Sequence, residues 1–446
     1  MKEGGLSRQL GVGTAVALVI SQVIGIGIFL VPAGMAKSVG SPAWLFAIWA
    51  AVGLMTLAGA LCYGELAARF PTSGGTYVYL REAFGDGLAF LYGWMVLLVL
   101  DPGLTALFGV GLASYISFIF PMGPGGQQIF AVAAVLAIGG ITILGTRLGA
   151  GFLKALTVLK IGTLAFIIFY GFLSGAGDWS NFTPFFAVPD DKFGAIAAGV
   201  VGAFFAFAGW WEVTRIVGEV KEPERNAPTI LVLGVLALSL IYIATSAVFM
   251  YLVPAASVTN DEAFAALAGE ALFGPAGGMV FAAAVSVSVI GTLFAYIIAS
   301  PRVYFAMARD GLFFEAVGRP HPRFGTPHLA TIIQIGLASL LILSGTFEQI
   351  LSYFFFIVIL FVAVAVAGIF RLRAGGEHSG YHAPLYPFTP IVFLVLAAVV
   401  LFFVGMRSPV ETLIGAAVVL AGIPVYHLVF KPRKHSHYGM DKNDQV

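Results

Sequence analysis

Twelve long apolar runs constrain this 446-residue chain more than any motif does. Crossing about 30 Å of hydrocarbon takes roughly 20 apolar residues of α-helix. Runs of that kind lie near 14–35, 42–67, 88–120, 128–146, 150–174, 193–217, 229–253, 276–300, 329–345, 349–370, 386–406 and 411–430. Lipid offers no partner to backbone amides and carbonyls, so spans of this kind close their hydrogen bonds internally as helices. With 59% apolar residues, 10% charged residues and a mean hydropathy of +0.97, the composition excludes an ordinary soluble domain. The expected fold is an all-α integral membrane protein with 12 transmembrane helices.

Charge placement orients the spans. With the N-terminus in the cytoplasm, inner loops and tails hold 18 of the 23 Lys and Arg, outer loops hold Lys37, Lys192 and Arg407, and Lys154 and Lys160 fall inside the fifth span. That bias predicts cytoplasmic N- and C-termini in a cell inner membrane or plasma membrane. The outer loops are acidic, with Asp178, Asp190, Asp191, Asp261, Glu262 and Glu270. The first span is long and lacks a small-residue cleavage site, so it is read as a retained helix. A net charge of +1 gives no reason to expect a nucleic-acid partner. The single cysteine, Cys62, sits within the second span and excludes an intramolecular disulfide.

Two spans carry matching interruptions: Gly25-Ile26-Gly27-Ile28-Phe29 in the first, and Phe205-Ala206-Phe207-Ala208-Gly209-Trp210-Trp211 in the sixth. Glycine costs about 1 kcal/mol in a helix relative to alanine, and a loosened turn must face protein or a wet cavity. Unwound segments around Gly25, Gly27 and Gly209 in corresponding places of two halves point to a transporter's substrate site. On this reading residues 10–175 form a first five-helix repeat, 190–373 a second, inverted one, 384–430 hold helices 11 and 12, and 431–446 form a cytoplasmic tail. The alternative is that these glycines only allow close helix packing.

Three segments resemble a known family: the run from Gln22 to Pro32, the inner loop from Tyr63-Gly64-Glu65-Leu66 to Pro71-Thr72-Ser73-Gly74-Gly75-Thr76-Tyr77, and Gly218-Glu219-Val220-Lys221-Glu222-Pro223-Glu224-Arg225-Asn226-Ala227-Pro228. They are similar to the amino acid-polyamine-organocation superfamily, and most to bacterial members of its L-type amino acid transporter branch. The resemblance implies a leucine-transporter-type fold, with a 5+5 inverted repeat, discontinuous helices 1 and 6, and two further helices. It also implies that the amides of Ile26 and Gly27 hold a substrate carboxylate, and that the carbonyls of Val23, Phe205 and Ala208 meet its ammonium. Free amides at a helix start favour an anion and free carbonyls at a helix end favour a cation, so one broken pair reads a zwitterion. Family members often carry a hydroxyl residue where this chain has Ile26, which removes one side-chain contact to the carboxylate.

Lys160 lies about 15 Å into the fifth span at 1.5 Å per residue, too deep to snorkel easily, and an ionisable group there is a functional hypothesis. The segment from Gly149 to Ile161 resembles the family's fifth helix, which implies that the Lys160 ammonium stands where sodium-coupled relatives bind a cation. The alternative is a structural pairing with a carboxylate. Lys154 is shallower and is read as snorkelling. Asp101, beside Pro102 in the third span, has four readings: contact with the substrate ammonium, proton carriage, pairing with Lys160, or hydrogen bonding to backbone freed by a proline kink. Tyr242 resembles a seventh-helix tyrosine that approaches the site in relatives, and Phe205 is read as an aromatic gate. Glu212 is assigned an inner-gate hydrogen bond and no substrate role. Glu65, Arg69, Arg81, Glu82, Glu219 and Arg225 are expected to flank the cytoplasmic face, where ion pairs close an inner gate.

Other chemistries leave few traces. There is no phosphate-cradling G-x-x-x-x-G-K-[ST] loop, no Cys-x-x-Cys and no His-Glu-x-x-His set, so neither ATP drive, a cofactor nor a metal is expected. His378 with His382, and His435 with His437, are read as solvated groups, Lys431–Lys434 as a contact to anionic lipid, and the sequon Asn181-Phe182-Thr183 as idle. A channel needs a continuous polar pore, and the spans offer few hydroxyl or charged stripes. An enzyme needs a paired acid and base, which is not evident. The expected function is therefore secondary-active, alternating-access transport of neutral amino acids by sodium-independent exchange. Proton-coupled symport, and carriage of cationic amino acids or polyamines, are the alternatives. Heavy-chain-linked relatives use an outer-loop cysteine, so no covalently linked heavy subunit is expected.

Overall fold

The computed structural model describes residues 10–72, 74–144, 150–187, 191–254, 264–300, 303–304, 307–308, 310–345, 347–376 and 380–431. Among them nine helices are long and apolar enough to cross a membrane, and a tenth span is made by two helices that meet at 51°. That pair is α1 (Val12–Val23) and α2 (Gly27–Val39). There follow α3 (Pro42–Arg69), the short α4 (Thr76–Phe84), α5 (Asp86–Met95), α6 (Asp101–Ile119), α7 (Pro124–Ile143) and α8 (Ala150–Leu173). Next come α9 (Lys192–Phe207), a 3₁₀-helix over Trp210–Glu219, α10 (Pro223–Leu252) and α11 (Phe264–Ala299). The chain closes with α12 (His328–Ser344), α13 (Phe347–Ala374), α14 (Phe388–Arg407) and α15 (Pro409–Leu420). The spans expected at 150–174 and 329–345 coincide with the shorter apolar helices Val158–Leu173 and His328–Ser344. His378, His435, His437, the Pro432–Lys434 stretch, Asp190, Asp261, Glu262 and the Lys154 side chain lie outside what is described.

Local chemistry sets the helix starts. Ser41 accepts from the Trp44 amide and Pro42 occupies the first turn of α3, where its missing N–H costs nothing. Asp191 accepts from the Gly194 amide at 2.9 Å to cap α9. Helices α5 and α6 join through a π-helical turn, Val96–Leu100, so Asp86–Ile119 runs as one span. The wider turn immediately precedes Pro102, whose ring crowds the backbone of the preceding turn.

The helices that bear the breaks sit inside the bundle. Ile24, Ile26, Ile28 and Phe29 have no exposed surface. Helices α7, α14 and α15 form the periphery and turn apolar side chains such as Ile129, Phe402 and Leu413 outward. Such a surface suits hydrocarbon, and the protein is a multi-pass membrane protein. Hydrocarbon supplies no hydrophobic drive between helices, so close approach of small residues does the packing. At Gly111 of α6, for example, a Cβ would stand 2.5 Å from the Ile26 side chain.

Candidate functional site

The first break spans Ile24–Ile26, between the end of α1 and the start of α2. The Gly25 amide, which would bond the Ser21 carbonyl in a continuous helix, turns instead to the Val23 carbonyl at 2.7 Å. Helix α2 begins when the Ile26 carbonyl accepts from Phe29 at 3.1 Å and Leu30 at 3.2 Å. The amides of Ile26, Gly27 and Ile28 therefore precede its ladder, as at any helix start. The break is shorter than the sequence suggests: Gly27, Ile28 and Phe29 already belong to α2.

The second break is also narrower than expected. Phe205, Ala206 and Phe207 are the last turn of α9, Ala208 is extended (φ −56°, ψ 144°), and Gly209 is left-handed (φ 99°). A left-handed φ is costly for any residue with a Cβ, which explains the glycine. Trp210 and Trp211 start the 3₁₀-helix, so the chain resumes with a different hydrogen-bond spacing. The Phe205 carbonyl accepts from the Ala208 amide at 3.0 Å.

The two breaks touch. A Cβ on Gly27 would stand 2.9 Å from Ala206 Cα and 3.5 Å from the Phe205 ring, so only glycine admits this approach of backbone to backbone. Phe205 is buried and meets Phe355 edge-on at 6.3 Å between ring centres. Tyr242 of α10 joins both breaks. Its hydroxyl lies 2.7 Å from the Ala206 carbonyl and 3.3 Å from that of Val23, while its ring is wedged between Trp49 and Phe207. One phenol proton serves two carbonyls at the ends of α1 and α9, that of Val23 also accepting from the Gly25 amide. The Ala206 carbonyl was not singled out from the sequence.

Lys160 of α8 is 4% exposed. Its ammonium donates to the Ser21 carbonyl at 3.1 Å and to Thr292 Oγ1 of α11 at 2.8 Å. The Ser21 carbonyl is the one that the Gly25 amide abandons, so the lysine caps the broken end of α1 with a charge-assisted bond. Two of the alternatives fall away: among the described residues Lys160 takes a carbonyl and a hydroxyl rather than a carboxylate, and it does not pair with Asp101.

Asp101 is fully buried and also bonds elsewhere than expected. One oxygen accepts from Tyr296 at 2.7 Å and the other from Tyr304, so the carboxylate meets phenols and not freed backbone. The Asp101 carbonyl accepts from Thr105 at 2.7 Å, and Gln334 of α12 donates to Thr105 and to Ser300. Ser288, Thr292, Tyr296, Ser300 and Tyr304 recur every fourth residue, the spacing that aligns side chains on one helical face. This hydroxyl stripe serves Lys160 on one turn and Asp101 on the next. It overturns the expectation that the spans hold few polar stripes, and its four-residue period was readable in the chain.

Arg215, to which the sequence assigned no role, lies mostly buried beside Glu212, with Nε 2.6 Å from Glu212 Oε2 and the two side chains 15% and 12% exposed. Beyond this pair, residues distant in sequence close the face at which the 3₁₀-helix ends. Glu65 of α3 holds Arg373 of α13 through both oxygens, at 2.8 Å and 2.6 Å, and accepts from the Ala383 amide at 2.8 Å. His382 lies 4.0 Å from the same carboxylate. Asp310 accepts from Arg81 at 3.0 Å and from Tyr77 at 2.9 Å, and burial together with the Asp310 charge raises the Tyr77 phenol above its ordinary range. A two-residue bridge pairs Leu10 with Glu219 and Lys221 and ties the start of the described chain to the end of the 3₁₀-helix. Among the described residues no group of His, Cys, Asp and Glu is arranged to hold a metal.

Two interrupted helices that meet inside an all-helical membrane protein describe a solute carrier. The chain matches the amino acid permease family over residues 10–424 and belongs to it. It is 34% identical to the serine/threonine exchanger SteT of Bacillus subtilis over 443 residues, which cover 98% of this chain and 99% of that protein. It is 27% identical to the human large neutral amino acids transporter small subunit 2 over 435 residues, covering 95% and 80% of the two chains. It is also 27% identical to the human cystine/glutamate transporter over 441 residues, covering 96% and 87%. The protein is thus an amino acid transporter of the amino acid-polyamine-organocation superfamily, related to its L-type branch, and not an enzyme.

Proposed function

We propose that this protein is a sodium-independent exchanger of small and medium neutral amino acids that works by alternating access. The observation that carries the reading is the junction of the two breaks, where Gly27 meets Ala206 and Tyr242 bonds a carbonyl from each side. A zwitterion fits this junction: its carboxylate on the amides of Ile26 and Gly27, its ammonium on the carbonyls of Val23, Phe205 and Ala208, in competition with the Tyr242 hydroxyl for the first of these. Phe205 closes the site as a gate. The relative named as a serine/threonine exchanger supports both the exchange mode and a small substrate.

Lys160 supports sodium independence, because a fixed ammonium already satisfies the carbonyl that a bound cation would otherwise take. The architecture that goes with this function is twelve spans: inverted repeats over 10–175 and 190–373, two further helices within 384–430, and a tail over 431–446. Both termini face the cytoplasm of a cell inner membrane or plasma membrane, and the carrier works without a covalent heavy subunit. A second reading, proton symport, rests on the buried Asp101 carboxylate.

Counterflow in proteoliposomes tests these readings. Exchange predicts that internal unlabelled amino acid accelerates uptake of labelled L-serine or L-leucine, equally in sodium and in choline buffer. Uptake without trans-stimulation, or uptake that needs sodium, refutes it. Uptake driven by an imposed pH gradient with empty vesicles selects the second reading.

A further inference from the structure

The ion pair between Glu212 and Arg215 is unfinished. It uses one carboxylate oxygen and one guanidinium nitrogen, at 2.6 Å, while Glu212 Oε1 and Arg215 Nη2 are buried with no hydrogen-bond partner. The Tyr79 and Tyr92 hydroxyls are also buried, the first beside Thr214 and the second beside Arg215 and Thr76. Arg215 is within electrostatic reach of Tyr92, Asp101 and Tyr296. A buried pair offsets its desolvation only when the remaining lone pairs and protons are satisfied, and orphaned buried polar atoms call for an occupant.

The pair also has a telling position. The 3₁₀-helix rises about 2 Å per residue, so Glu212 lies roughly 6 Å and Arg215 roughly 12 Å beyond Gly209. The helix runs from the second break to Glu219, whose carbonyl bonds the Leu10 amide at the face where α1 begins. Glu212 and Arg215 therefore stand between the site at the breaks and that face.

We propose that Glu212 and Arg215 form a second, transient site for an α-amino acid on the path between the breaks and the cytoplasm, with Glu212 taking the ammonium and Arg215 the carboxylate. The proposal rests on the carrier reading and on its orientation. A free acceptor beside a free donor of opposite charge is the complement of a zwitterion. When the substrate arrives, each of its ends replaces one partner of the pair, so the pair parts without leaving an uncompensated buried charge. An empty carrier has nothing to offer either partner, which disfavours the unloaded return and makes movement depend on a passenger.

Sided kinetics test this. In oriented proteoliposomes, the KM for L-serine, with L-leucine as a second probe, is measured on each face for the wild type, Glu212→Gln and Arg215→Gln. Each neutral variant is expected to raise the cytoplasmic KM at least tenfold, to leave the opposite KM within twofold, and to retain the thermal shift induced by saturating amino acid. Arg215→Lys, which keeps the charge and the fold but loses the planar second nitrogen, is expected to raise the cytoplasmic KM about threefold. If the pair only latches the inner face, loosening it populates the inward-open state and lowers the cytoplasmic KM, which overturns the proposal. An unchanged cytoplasmic KM, as for a pair whose free atoms merely hold water, overturns it as well. A wild type without trans-stimulation defeats the carrier reading itself, whereas a normal wild type with either of those variant results defeats only the second site.

Discussion

Replacing Gly27 by alanine adds one methyl group at the point where the two breaks meet. The new Cβ would stand 2.9 Å from Ala206 Cα and 3.4 Å from Ala206 Cβ. Carbon atoms sit comfortably at about 3.5–4.0 Å, so one segment must retreat by roughly 0.6–1 Å. The obstructing atom is backbone, and no rotamer change relieves it. Overpacking of this kind costs about 1–3 kcal/mol, and the displacement falls on the amides of Ile26 and Gly27. Gly34 is the control: it lies in the same helix with no atom within 4 Å of a would-be Cβ, so alanine there should be neutral or stabilise by up to about 1 kcal/mol. The assay is thermal unfolding in detergent, with and without substrate, paired with counterflow. Gly27→Ala should lower the unfolding temperature, abolish the substrate-induced shift and reduce exchange at least tenfold, while Gly34→Ala leaves all three intact. A Gly27→Ala carrier that exchanges and melts like the wild type would show that the breaks do not form a tight junction.

Three further substitutions probe other parts of the arrangement. Tyr242→Phe keeps the ring between Trp49 and Phe207 but deletes the hydroxyl shared by Val23 and Ala206, and leaving buried carbonyls short of a donor costs about 1–3 kcal/mol. Substrate affinity should change at least fivefold in equilibrium binding, and an unaltered affinity would place the hydroxyl outside the site. Asp101→Asn removes the negative acceptor of Tyr296 and Tyr304, whose charged hydrogen bonds contribute about 1.5–3 kcal/mol each, so a lower melting temperature is expected, and an unchanged one argues against an ionised carboxylate. Glu65→Gln breaks the two-point bond to Arg373 and leaves a guanidinium near a buried amide. Removing one partner of such a pair costs about 3–5 kcal/mol, so labelling of Cys62, one turn away, by a thiol reagent should accelerate, and an unchanged rate would mean the pair does not close that face.

What was legible in the chain was what a helix decides locally. Apolar length fixes that a segment spans, and glycines at 25 and 209 mark where the two helices break, whereas Gly27 lies in α2 and serves close packing instead. A lysine ten residues inside an apolar run announces itself too. The partners were not legible, because they come from helices far apart in sequence. Lys160 reaches Ser21 and Thr292 across 139 and 132 residues, and Asp101 reaches Tyr296 across 195. A sequence shows that a buried charge must be satisfied, but the choice of donor follows from which helix faces meet. The hydroxyl stripe on α11 lies between these cases: its four-residue period was on the page, yet only packing against α6 and α8 showed that one turn serves the lysine and the next the aspartate. The contact of Gly27 with Ala206 was decided by tertiary structure alone, since no local rule brings residues so distant in sequence within van der Waals distance, and it is this contact that turns two separate weak points into one site.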